Sequence, residues 1–300
     1  QVPGTGDADH LRSEGHMAEI ELRRAAGAAQ GASREAGPWV ERLARLGYAA
    51  KGVVYLIIGG IAARAALGSG ERVEGSQGAL RTILEQPFGK ALLALTALGL
   101  AGYALWRFVQ AALDPEGKGS DGGGLAKRAG YAISGVIHAG LALAAARMVM
   151  GGGGGQSGGG DSADHWTAVL MRQPAGRWLV AAVGLGILAY GAYALYRAYA
   201  VKLDRQLDLS RMSPEARTWA VRAGRAGIAA RGVVFLVMGF FLLRAALQFD
   251  PSEARGLDGA LQALQQASYG PWILALVALG LVGYGVYQLV EARYRRIQPA

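Results

Sequence analysis

Six stretches of this chain are apolar, nearly free of charge, and each about as long as the roughly 20 residues a helix needs to cross the hydrocarbon layer of a bilayer. They are Tyr48–Leu67, Ala91–Leu113, Tyr131–Met150, Trp178–Ala200, Ile228–Phe249 and Trp272–Val290. None contains Asp, Glu or Pro. Lipid offers the backbone no hydrogen-bond partner, so a run of this kind closes its own bonds as a helix. Only 18% of the residues are charged, against roughly a quarter in soluble domains. The pattern predicts an all-α, polytopic membrane protein with six transmembrane helices.

The runs come in pairs. The second run of each pair carries one motif: Gly99–Trp106 reads GLAGYALW, Gly186–Tyr193 reads GILAYGAY and Gly280–Tyr287 reads GLVGYGVY. Gly99, Gly186 and Gly280 are each followed four residues later by Tyr103, Tyr190 and Tyr284, and then by Trp106, Tyr193 and Tyr287. Positions i, i+4 and i+7 share one helix face. The first run of each pair has a different signature. Arg45, Arg128 and Arg225 precede Gly47, Gly130 and Gly227, which precede Gly52, Gly135 and Gly232. Arg64, Arg147 and Arg244 follow near the far end. Repetition at this scale marks tandem structural units. We divide the chain into a polar tail, 1–41, and three two-helix repeats at 42–115, 124–204 and 219–297. An even number of spans gives every unit the same orientation, so the units should surround a pseudo-threefold axis along the membrane normal.

The connections between the two spans of each unit also repeat. Gly78–Gly89, His165–Gly176 and Gly259–Gly270 each read as a short one-sided helix. The tract Gly151–Gly155 with Gly158–Gly160 reads as a flexible linker. Ser213-Pro214-Glu215 is a helix start that should run on into the fifth span.

Charge predicts orientation. Eighteen Lys and Arg residues lie in the tails and the even-numbered loops, against six in the odd-numbered loops. Basic residues collect on the cytoplasmic side. The expectation is a multi-pass protein of the bacterial plasma membrane with both termini cytoplasmic. The net charge of +9 then reflects topology and not nucleic-acid binding. The expected partners are membrane lipids and a membrane protein or a second copy of the chain. There is no cysteine, hence no disulfide or thiol chemistry.

Units opening with Gly47-Tyr48-Ala49-Ala50-Lys51-Gly52 and closing with Gly99-Leu100-Ala101-Gly102-Tyr103 resemble the bacterial membrane family catalogued as domain of unknown function 1206. The resemblance runs through all three units. It departs at Ile228, in place of the opening Tyr, and at Ser134, in place of Lys51 and Arg231. It implies a threefold repeat of a two-helix unit and carries no agreed activity.

The glycine and tyrosine positions Gly47, Gly52, Gly99, Tyr103, Gly130, Gly135, Gly186, Tyr190, Gly227, Gly232, Gly280 and Tyr284 are expected to form helix-packing surfaces, since small residues let helices approach closely in lipid. The same stripe could instead line an aromatic cleft for lipid, quinone or pigment. Arg64, Arg147 and Arg244 are candidates for anion or lipid-headgroup binding, or they reach to the outer interface as long basic side chains do. Lys51 and Arg231 read as anchors at the inner interface. His138 is the one histidine within a span and a candidate haem or pigment ligand, against a plain interhelical hydrogen bond. No paired carboxylates, histidine cluster or Ser-His-Asp set points to catalysis or to a metal. The function expected is non-enzymatic: a scaffold or accessory subunit acting through helix packing with proteins or lipids. A passive anion channel along the axis, or a cofactor at His138, are the alternatives.

Overall fold

The computed structural model describes residues 38–39, 41–68, 73–115, 117–151, 159–200, 203, 207–208, 210 and 212–295. Residues 1–37 and 40 of the polar tail and most of the glycine tract, residues 152–158, lie outside them. Six helices have the length and composition of membrane spans: α1 (Glu41–Ala66), α3 (Gly89–Leu113), α4 (Gly122–Val149), α6 (Gly176–Ala200), α7 (Pro214–Gln248) and α9 (Gly270–Tyr294). Three shorter helices, α2 (Ser76–Leu84), α5 (Gly159–Met171) and α8 (Leu257–Gln266), stand between the two spans of each unit. The Ser213 side chain caps α7 by accepting from the amide of Ala216 at 3.2 Å. From there the helix runs unbroken into the fifth span.

Each unit turns from its short helix into its second span by one device. Phe88, Ala175 and Tyr269 take left-handed backbone angles, φ 61°, 59° and 61°. The next residues, Gly89, Gly176 and Gly270, return an amide to the carbonyls of Gln86, Gln173 and Ala267 at 2.8, 2.8 and 2.7 Å. A Cβ on any of these glycines would lie 1.9–2.0 Å from a carbonyl oxygen of the short helix. The turn therefore requires glycine for space, while the strained φ falls on the residue before it.

The units contact one another in cyclic order. Two of the opening-motif arginines bind the end of the preceding unit's second helix. Arg45 donates to the carbonyls of Ala292 and Arg293, both at 2.9 Å. Arg128 donates to those of Ala111 and Ala112 at 2.8 and 3.0 Å. Helix C-termini leave carbonyls unsatisfied and favour cations, so these arginines tie units together rather than merely marking an interface. The closing tyrosines follow the same cyclic rule. Tyr103 packs on His138 with ring centroids 4.5 Å apart, Tyr190 on Phe235 at 5.0 Å, and Tyr284 on Tyr55 at 4.7 Å. His138, Phe235 and Tyr55 occupy one repeat position, so the pseudo-threefold order is written in side-chain contacts.

The main apolar core draws on α1, α3, α7 and α9, with α2 and α8 plugging the end away from the termini. Ile58, Leu93, Leu100, Leu274 and Leu281 are fully buried there. The third span, α4, contributes Ala142 and Ala145, and α6 contributes nothing to this cluster.

Candidate functional site

The two glycines of each opening motif pack differently. The second faces the neighbouring unit. A Cβ on Gly52 would meet the carbonyl of Gly285 at 3.0 Å, one on Gly232 the carbonyl of Gly191 at 3.0 Å, and one on Gly135 the ring of Phe108 at 2.8 Å. The first glycine faces its own unit. A Cβ on Gly47 would lie 2.6 Å from the backbone nitrogen of Tyr103, and one on Gly227 2.4 Å from the Cα of Tyr284. Gly130 breaks the rule: a Cβ there would meet nothing within 4 Å. Gly186, on the facing span of the same unit, is equally open, whereas its counterparts Gly99 and Gly280 sit against Ala50 and Ala230. The expectation that Gly130 and Gly186 are packing positions is thus corrected.

Helices α1 and α3, α3 and α4, α6 and α7, α7 and α9, and α9 and α1 are packed together. Spans α4 and α6 form no comparable interface among the described residues. Burial states the asymmetry directly. Tyr103 and Tyr284 are 0% and 4% exposed, while Tyr190 and Tyr193 are both 45% exposed. On the facing span Ile133 and Ile137 are 62% and 55% exposed, although Ala50, Val54, Ala230 and Val234 at the same repeat positions are buried. The physical cause is side-chain bulk. Gly99 approaches so near that its added Cβ would lie 2.6 Å from the Cβ of Ala50. Isoleucine at position 133 would fill the space that this approach needs.

Behind the open seam lies a cluster of basic and tyrosine side chains. Lys51 is buried, ten helical residues or about 15 Å beyond the start of α1. Its Nζ donates to the Tyr103 hydroxyl at 2.8 Å and lies 4.5 Å from that ring and 5.4 Å from the ring of Tyr284. The Nε of Arg107 donates to the same hydroxyl at 2.8 Å, its Nη2 also does so, and Nη1 donates to Gln110 at 2.8 Å. Arg231 donates from Nη1 to the Tyr284 hydroxyl at 2.7 Å. Its guanidinium lies 4.5, 5.3 and 5.2 Å from the rings of Tyr284, Tyr55 and Phe235. The Nε of Arg231 is buried and has no hydrogen-bond partner among the described residues. None of the three basic groups is ion-paired with a carboxylate among those residues. Lys51 and Arg231 therefore lie among tyrosine rings inside the bundle, not at its ends as interface anchors.

Carboxylates within the spans are confined to the end carrying the termini. Glu291 is buried in an ion pair with Arg295 and accepts from Gln288 at 2.6 Å. The Arg295 guanidinium lies 5.1 Å from the ring of Tyr48. Outside the spans, Asp114 accepts the amides of Lys118 and Gly119, each at 2.7 Å. Those two backbone donors hold its carboxyl below the usual aspartate range.

The other candidate residues are dispersed. Arg64, Arg147 and Arg244 are exposed at the ends of α1, α4 and α7, and Arg244 pairs with Glu253 at 2.9 Å. The Nδ1 of His138 is bonded to the Ser134 carbonyl at 2.7 Å. No group of three His, Cys, Asp or Glu residues with metal-ligand placement occurs among the described residues. Arg107 escaped the sequence reading because it does not repeat: Ala194 and Gln288 stand at its positions in the other units. A basic residue four positions after the closing tyrosine, on the same helix face, was the available signal.

A six-span bundle of tandem two-helix units in cyclic order defines a polytopic membrane protein built by triplication. The chain belongs to the family described as Domain of Unknown Function (DUF1206), whose model matches residues 46–114, 129–200 and 226–295. It is 36% identical over 264 residues to "Uncharacterized protein YxxB" of Bacillus subtilis (strain 168), an alignment covering 88% of this chain and 94% of that one. No solved structure matches it.

Proposed function

We propose that this chain is a non-catalytic protein of the bacterial plasma membrane that binds an anionic group at Lys51, Arg107 and Arg231. One observation carries the reading. Three basic side chains converge within the span region, where they donate to tyrosine hydroxyls and a glutamine. Removing a charged group from water costs several kcal/mol. An incoming phosphate or carboxylate would offset that cost and take the unused N–H of Arg231. Catalysis has no comparable support, since the cluster offers donors rather than a nucleophile with its base. The fully buried core residues Ile58, Leu100 and Leu281 favour binding over conduction along the axis. The excess of basic residues on the side of the termini supports a cytoplasmic location for both. A partner protein would then sense the occupied or empty site, which is the accessory role expected of the chain.

The test is native mass spectrometry of the protein purified from membranes, beside Lys51→Gln/Arg231→Gln. The unaltered chain should carry an anionic species that the double variant loses by about tenfold or more, the size expected when charge-assisted hydrogen bonds are removed. Equal retention by the two proteins, or no anion on either, would refute the assignment.

A further inference from the structure

We infer that the ligand is a chain-bearing anion, a phospholipid or similar amphiphile, which enters sideways between α4 and α6 and lays its apolar chain along that seam. The inference rests on the proposed anion site and adds the ligand class and its route.

Side-chain contacts lead from the seam to the cluster. Tyr190 is half exposed on α6 and packs edge-on against Phe235 at 5.0 Å. Phe235 lies 5.2 Å from the Arg231 guanidinium. On the other wall, His138 is partly buried against Tyr103, whose hydroxyl holds both Lys51 and Arg107. The mouth is formed by Gly130, Ile133 and Ile137 on α4 and by Gly186, Tyr190 and Tyr193 on α6. These side chains are apolar or aromatic, and none carries a charge. A free inorganic anion gains nothing from such a mouth, whereas an acyl chain gains apolar contact along its length. Charge complementarity fixes the polar end, because the basic groups lie inward of the aromatic ones. Gly130 and Ile133 on α4, and Tyr190 and Tyr193 on α6, lie in the halves nearest the termini, so the leaflet on that side supplies the ligand.

The sealed seams of the other units supply the comparison. Where α1 meets α3 and α7 meets α9, tyrosine lies directly against glycine and no chain could enter. One unit of three is open, and at its opening motif Ser134 replaces the basic residue found at Lys51 and Arg231. A small neutral residue at the portal leaves room for a headgroup to pass.

The experiment uses the full chain in detergent, equilibrated with mixed phosphatidylglycerol and phosphatidylethanolamine vesicles, then read by native mass spectrometry and thermal unfolding. The seam variant is Gly130→Leu/Gly186→Leu, whose added side chains start in open space and should not lower the melting temperature. The unaltered protein should retain phosphatidylglycerol in preference to phosphatidylethanolamine. The seam variant should retain about tenfold less, and millimolar inorganic phosphate should not displace the lipid. If the seam variant keeps its lipid while Lys51→Gln/Arg231→Gln loses it, lateral entry is wrong and the anion site stands. If inorganic phosphate binds and lipid does not, the ligand class is wrong and the anion site again stands. If both variants retain lipid as the unaltered chain does, both proposals fall. A dimer that the two leucines dissociate, with no lipid retained, would show that a second copy covers the seam and would overturn the inference.

Discussion

The Nζ of Lys51 and the hydroxyl of Tyr103, separated by 52 residues of chain, meet at 2.8 Å inside the bundle. Arg107 donates to the same oxygen, so one phenol organises two basic side chains. Tyr103 is also the residue that Gly47 packs against and that His138 stacks on. Packing within the first unit, order between the first and second units, and the electrostatics of the site thus pass through one side chain.

Tyr103→Phe tests that dependence. It preserves the ring and removes the acceptor, leaving buried donors unsatisfied. The expected cost is about 2 kcal/mol, read as a lower melting temperature in detergent. An unchanged melting temperature would mean that water or a bound group takes over the two donors.

Alanine substitution at the first glycine of each opening motif should distinguish the units. Gly47→Ala and Gly227→Ala place a Cβ against backbone atoms and should destabilise by about 1–3 kcal/mol. Gly130→Ala meets open space and should be neutral or stabilising by about 0.5–1 kcal/mol, the helix-propensity gain. Thermal unfolding of the three single variants in one lipid or detergent makes the comparison. Equal losses at all three would show that the α4–α6 seam is closed.

The turn glycines should behave alike despite their different flanking residues. Gly89→Ala, Gly176→Ala and Gly270→Ala each drive a methyl into a carbonyl oxygen 1.9–2.0 Å away. Each should reduce the yield of folded protein, measured as the monodisperse fraction on size exclusion. A tolerated alanine at one of them would show that its short helix can move off the span.

Asp114 gives a pH dependence with a definite sign. Its folded pKa is depressed below the unfolded value by the amides of Lys118 and Gly119. Its contribution is therefore present above the unfolded value and is lost as pH falls through the folded one. Hydrogen exchange of those two amides should stay slow through the ordinary aspartate range, near pH 3.9, and accelerate only below it. Asp114→Asn should abolish that pH dependence while tolerating the left-handed backbone, φ 47°.

The six spans, their pairing and the short helices between them were legible in the chain because each depends on local periodicity and length. The opening-motif arginines were recognised as a repeating position, yet the capping of the preceding unit's helix by Arg45 and Arg128 required knowing which helix end lies beside them. The site was half legible. Lys51 and Arg231 stood out as charges in apolar runs, but an interfacial anchor and a buried ligand group share that signature. Arg107 was missed because attention to the repeat favours what recurs. Arg64, Arg147 and Arg244 recur, and they lie exposed at the helix ends.

Sequence alone determined that this chain makes three two-span units, since hydropathy and the glycine–tyrosine spacing act within a helix and need no partner. Tertiary structure decided which seam is open. Gly130 carries the same motif as Gly47 and forms the same helix, but close approach depends on what faces it across the unit. Ile133 and Ile137 are too bulky for the contact that Ala50 and Val54 permit, and that difference becomes an opening only when two helices distant in the chain are brought side by side.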